Sequence, residues 1–107
     1  SLEKANNIRP QADVYIAMMG EAAELAGNGL AEQWRDQVKE IRIQCHCGGG
    51  NFKKQMKRAD KSGASIAVIL GDNELSEKTA TVKYLREQKE QESVAFEDMP
   101  ALLEKLM

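Results

Sequence analysis

Apolar and polar residues follow one another along this chain in blocks of changing period, and each change of period marks an element. Asp13 to Met19 (DVYIAMM) is short, apolar and partly β-branched, as expected of a strand covered on both faces, and Gly20 closes it. From Glu21 to about Lys39 the apolar positions Ala23, Ala26, Leu30, Trp34 and Val38 recur every three or four residues, which predicts an amphipathic helix. Gly27 and Gly29 lie within it; each costs about 1 kcal/mol of helix propensity relative to Ala, so the helix either packs closely there or is irregular. Ile41 to Cys45 alternates and reads as a second strand. Past three glycines, Phe52, Met56 and Ala59 stand at i, i+4 and i+7, the stripe of a second helix with Asn51 as N-cap and Gly63 just beyond its end. Ser65 to Leu70 is a fully apolar third strand, and Gly71-Asp72-Asn73 reads as a turn with the return beginning at Leu75. Thr79 to Leu85 alternates as a fourth strand, antiparallel to its neighbour and entered through a tight Glu77-Lys78 connection. Ser93 to Phe96 adds a short edge strand. Asp98 is the expected cap of a last helix, with Pro100 in its first turn and Leu102, Leu103 and Leu106 facing inward.

This order predicts the α/β class: a small open, mostly parallel mixed sheet of four to five strands, with about three helices on its faces. Sites in such sheets form beyond the carboxyl ends of the parallel strands. Gly20-Glu21, His46 to Asn51 and Gly71 to Glu74 all fall at those ends. The chain, 107 residues in length, has one domain's worth of core. No stretch approaches the roughly 20 apolar residues of a membrane span, and the opening SLEKANNIRP lacks the order of a signal peptide, so the expected location is cytoplasmic. Residues 1–9 are read as a linker from a longer protein and 10–107 as the domain, because Arg9-Pro10 disfavours helix at the junction.

Charge sharpens the picture. The net charge of −2 does not suggest a general polyanion binder, but its distribution is uneven. Lys53, Lys54, Lys57, Arg58 and Lys61 face only Asp60 between Cys45 and Gly63, whereas Glu87 to Met107 is predominantly acidic. A strand, the turn Gly48 to Gly50 and a basic helix meet at one point. Unsatisfied backbone N–H groups and the helix dipole favour anions there. The turn lacks the Gly-Lys-Ser/Thr ending of a nucleotide-hydrolase loop and the G-x-G-x-x-G dinucleotide pattern. Cys45-His46-Cys47 offers soft metal ligands, but a closed zinc site needs four and the chain has no other Cys or His. A thiolate nucleophile would lack a third, orienting group. No catalytic and no metal residues are therefore assigned. Trp34, Tyr15 and Phe96 are read as core.

The run GGGNFKKQMKRADKSGASIAVILGDNEL, followed by TATVK-LR and preceded by RPQADVYIAMMGEAA, resembles the C-terminal anticodon-binding domain of bacterial histidyl-tRNA synthetases, from about Arg9 to Met107. The resemblance implies a class II synthetase whose N-terminal catalytic domain, using ATP and Mg, charges tRNA(His). This domain would grip the anticodon stem-loop, need no cofactor of its own and have no ligase activity alone. It implies a homodimeric parent enzyme. Carried over position by position, it implies RNA contacts by Glu21, Gly49, Gly50, Asn51, Lys53, Lys54, Gln55, Arg58, Glu74 and Lys83. Here Glu77-Lys78 stands where the family has a glycine-bearing hairpin turn. Cations for phosphates and polar groups for base edges agree with this implication. Two other readings compete: a regulatory or dimerisation domain that keeps the synthetase fold without RNA binding, and a small-molecule phosphate site at the glycine turn.

Overall fold

A computed structural model describes residues 12–46 and 51–106. The elements are β1 (Val14–Met18), α1 (Glu21–Gln37), β2 (Ile43–Cys45), α2 (Phe52–Lys61), β3 (Ile66–Leu70), α3 (Asp72–Glu77), β4 (Thr79–Tyr84), β5 (Glu92–Ala95), a 3-10 turn (Phe96–Asp98) and α4 (Met99–Glu104). They build a five-stranded sheet of order β2-β1-β3-β4-β5. The first three strands are parallel and the last two antiparallel; the sequence pattern predicts the direction of β4 and a short edge strand at β5.

β1 sits in the middle of the parallel part, and all five of its residues are buried. That explains an unbroken apolar run where an exposed strand would alternate. One face of the sheet holds the main core: Val14, Ile16, Ile66, Val68, Ala80 and Val82 meet Ala23, Ala31 and Trp34 of α1 and Met99 and Leu103 of α4. Trp34 is fully buried and meets Phe96 edge to face, with ring centroids 6.4 Å apart. The other face carries a smaller cluster, Tyr15, Ala59, Ala64 and Ala67, where α2 lies across the sheet.

Of the two helical glycines, Gly27 is the one that packs closely. A Cβ built there would come within 2.5 Å of the Met18 sulfur, whereas one at Gly29 would meet nothing within 4 Å. Close approach of α1 to the sheet therefore depends on Gly27.

Three local expectations are corrected. The segment after β3 is not a turn and tight hairpin but the helix α3, and Lys78 closes it in the left-handed region with φ 56. Lys78, a non-glycine residue, thus takes the left-handed C-cap position at which glycine is commonest. Asp98 makes no side-chain cap: the chain enters α4 through the 3-10 turn, so Asp98 is already helical in backbone, while Pro100 sits in the first turn as predicted. In α4, Met99 joins Leu103 as fully buried, and Leu102 and Leu106 pack at the margin.

The stripe of α2 is also rotated from the one predicted. Phe52 is 44% exposed, and Gln55, 1% exposed, takes the inward position beside Ala59. The reason lies in the sheet. β2 ends at Cys45, opposite Ile16, while β1 continues to Met18. In a parallel ladder the N–H and C=O of one residue point to the same neighbour, so Met18, beyond the last β1–β2 pair, has a gap on that side among the described residues. The side-chain amide of Gln55 fills that gap: Met18 N donates to its Oε1 at 2.9 Å, and its Nε2 donates to Met18 O at 2.9 Å. One side-chain amide bonds to Met18 as a strand's peptide group would and fixes α2 over the end of β1.

At the other end, Arg86 holds the helix to the end of β4. Its guanidinium donates to Asp60 O at 2.6 Å and to Ala64 O at 3.1 Å, and pairs with the Asp60 carboxylate at 3.1 Å. On the opposite margin of β4, the Tyr84 hydroxyl donates to Glu92 of β5, and Lys89 Nζ lies 4.6 Å from the Tyr84 ring centroid. The bond to the Glu92 carboxylate, followed by burial and the negative charges of Glu92 and Glu87, pushes the Tyr84 phenol from 10.0 up to about 12.

Three expected outcomes test this account. Gly29→Ala raises stability in urea melts by about 0.5–1 kcal/mol, whereas Gly27→Val lowers it by about 1–3 kcal/mol through overpacking against Met18; equal effects would contradict the packing described. Gln55→Leu leaves both Met18 groups buried and unbonded and costs about 2–3 kcal/mol. For Tyr84, the folded state holds its proton more tightly than the unfolded chain, so its contribution to stability is intact below pH 10.0 and disappears as pH rises to about 12. Tyr84→Phe flattens that interval in pH-dependent melts.

Candidate nucleic-acid interface

Asn51 starts α2 as the sequence predicts: its side-chain oxygen accepts from Lys54 N at 2.8 Å, satisfying one of the helix's free N–H groups. With Gln55, Ala59 and Ser62 turned inward, Lys53, Lys54, Lys57, Arg58 and Lys61 are all driven outward and are exposed. The burial pattern thus forces five cations onto one helix surface. Asp60, which would partly neutralise them, is held by Arg86.

α2 covers only part of its face of the sheet. Ala67 pairs with Lys83 and Ile69 with Thr81 across β3 and β4, so these side chains share the face on which α2 lies. Ile69, Thr81 and Lys83 are only half-buried. They form an open strip alongside the helix. At its upper end, Glu74 of α3 accepts from the Thr81 hydroxyl at 2.9 Å. Glu74 also sits close above Gly71, where a Cβ would lie 3.1 Å from its Oε1. Carboxylate, hydroxyl and ammonium therefore succeed one another along the strip, offering acceptor and donor groups to the edge of a flat polar ring.

The residues singled out from the sequence thus divide. Asn51, Lys53, Lys54 and Arg58 share the exposed surface of α2, and Glu74 and Lys83 belong to the strip. Glu21 is exposed at the first turn of α1, beyond the end of β1. Gly49 and Gly50, together with Cys47, lie outside the described residues. Gln55 does not reach the surface, since both ends of its amide are engaged by Met18. It positions the helix and is not placed to touch a ligand. Thr81 was missed by motif reading, although its place two residues before Lys83 in an alternating strand puts both on one face.

His46 and Cys45 are structural in their surroundings. The His46 Nδ1 and the Tyr15 hydroxyl lie 2.7 Å apart in the interior, and their rings meet edge to face. Cys45 is partly buried against the main core. Among the described residues no three His, Cys, Asp or Glu side chains converge as metal ligands, and no helix is long and apolar enough to cross a membrane.

Comparison with known proteins agrees with this geometry. A family model described as the anticodon binding domain matches residues 13–106. The apo histidyl-tRNA synthetase of S. aureus superposes with a TM-score of 0.80 at 25% identity, over 96% of this chain and 26% of that one. The histidyl-tRNA synthetase of Nostoc sp. PCC 7120 gives 0.83 at 24% identity, over 97% and 25%. The RNA binding domain of threonyl-tRNA synthetase from Cryptosporidium parvum gives 0.82 at 11% identity, over 98% and 27%, a likeness of fold. The chain spans about a quarter of the length of each of these structures. Matched from its first strand to its last helix, with a basic helix laid beside an open polar strip, the chain belongs to the anticodon-binding domain family of the aminoacyl-tRNA synthetases.

Proposed function

We propose that this chain is the anticodon-recognition module of a histidine-tRNA ligase, binding the anticodon stem-loop of tRNA(His) and positioning it for a catalytic domain in the same polypeptide. The observation that supports this most is that α2, with its five exposed cations, lies on the same face of the sheet as the Glu74-Thr81-Lys83 strip. Cations attract and orient the phosphate backbone without reading sequence, whereas a short row of acceptors and donors beside them discriminates base edges. Unpaired loop bases present such edges, and an RNA helix hides them. Glu74 accepts from an amino or imino N–H of a splayed base, Lys83 donates to a base carbonyl or a phosphate, and Asn51, Lys53, Lys54 and Arg58 hold the backbone.

In this reading residues 1–9 connect to the catalytic domain, where ATP and Mg are used, and the parent enzyme is a cytoplasmic homodimer. The domain itself contributes affinity and selectivity and no bond chemistry. Histidine rather than another amino acid is favoured by the similarity to the S. aureus enzyme at 25% identity over nearly the whole chain.

Filter-binding titration with tRNA(His) and with versions altered at each anticodon base tests the proposal. Cognate binding falls with salt at a log–log slope near −3 if about four phosphates are contacted. Glu74→Gln, which preserves shape and the bond from Thr81, weakens discrimination at one anticodon base by about 1–3 kcal/mol. Equal affinity for every anticodon would exclude base readout by this domain.

A further inference from the structure

Resting on the reading of this domain as an RNA binder, we infer that α2 carries a second RNA contact on the flank turned away from the open strip. It is a phosphodiester-binding cleft formed with the edge strand β2. Met56 packs with Leu85 in the small cluster, and Asp60 is held by Arg86, so that flank of α2 faces β3 and β4. The opposite flank faces Gln44 of β2 across a cleft of about 440 Å³, with Tyr15 in its floor and Lys54, Lys57, Arg58 and Lys61 along its wall.

The four cations occupy i, i+3, i+4 and i+7. In a core helix that spacing makes the apolar contact stripe; here it is filled entirely by positive charge. A helix rises about 1.5 Å per residue, so the stripe extends roughly 10 Å and forms a row of charge. A row suits consecutive phosphates of a strand better than one isolated phosphate. Among the described residues no carboxylate lines the cleft, and Gln44, exposed on β2, supplies a neutral donor on the far wall. The Tyr15 hydroxyl is already engaged with His46, so the floor is a fixed surface and the selective groups are those of the walls.

The RNA therefore straddles the helix. Bases lie on the strip side, and backbone phosphates run through the cleft on the β2 side. Lys61 and Gln44 join the interface, and the two flanks have different tasks: one sets which bases bind, the other sets how strongly any RNA of this shape binds.

The test is binding of the anticodon stem-loop RNA of tRNA(His), and of the same RNA with each anticodon base replaced, to Arg58→Gln, Lys61→Gln and Gln44→Glu variants of the whole chain over a series of salt concentrations. These residues are exposed, so thermal melts unchanged from the parent confirm folding. Each lost phosphate contact lowers affinity about five- to eightfold at 0.1 M salt and makes the log–log slope shallower by about 0.7–0.9. Arg58→Gln and Lys61→Gln should do so by the same factor for every RNA, and Gln44→Glu should weaken all of them by repulsion. Anticodon discrimination that persists with unchanged affinity and slope in Lys61→Gln and Gln44→Glu, the two residues that only the cleft recruits, would overturn the cleft and leave the function proposed above intact. Loss confined to the cognate RNA would assign these residues to base reading, also against the inference. Absence of RNA binding by the parent chain and its full-length enzyme would remove both.

Discussion

The interface depends on one side-chain amide. Because β2 is only three residues long, the peptide group of Met18 at the end of β1 lies beyond the last residue paired with β2, inside the protein. An unbonded buried peptide group is costly, and Gln55 removes that cost by bonding to both Met18 N and Met18 O. The same bonds set the rotation of α2 about its axis. With position 55 turned inward, position 59 follows one turn later, and positions 53, 54, 57, 58 and 61 have nowhere to go but outward. A backbone requirement of the sheet thus determines where the positive charge appears.

The unequal cover of the two sheet faces has the same logic. The main core lies under α1 and α4, where Gly27 lets the helix settle onto Met18 and Leu70. That face supplies most of the burial on which stability rests. The other face has only α2 and a small cluster built from alanines and Tyr15. Small side chains under α2 keep the helix low against the sheet and leave the neighbouring strip accessible. Under the proposed function, stability and recognition fall on different sides of one sheet, and substitutions on the strip would act on binding with little effect on the core.

Much of this was legible in the sequence, for physical reasons. The strands β1 and β3 are short apolar runs bounded by glycine, and α1 has a clean helical period, so burial alone revealed them. Asn51 and Pro100 follow local rules of helix starts that tertiary context did not override. The failures have one common cause. Gln55 reads as a surface residue because its partner, the unpaired end of β1, is 37 positions away in sequence. Phe52 reads as core because it is apolar, although the bond at Gln55 rotates it toward solvent. Gly71 to Asn73 reads as a turn because the helix it opens has only six residues, too few to show a period. The family resemblance pointed to Glu74 and Lys83, and the bond from the Thr81 hydroxyl to Glu74 shows that Thr81 stands between them.

Held at both ends, α2 is a beam on two supports. Gln55 ties its first half to β1, and Arg86 ties its last turn to the end of β4, the strand that bears Lys83. Such a helix cannot tilt or slide without breaking polar contacts at one support. Its cations and the strip on the same sheet face are therefore held at a fixed spacing by the fold itself. Little ordering entropy remains to be lost when a loop docks, and selectivity comes from whether an incoming RNA already fits a rigid gauge.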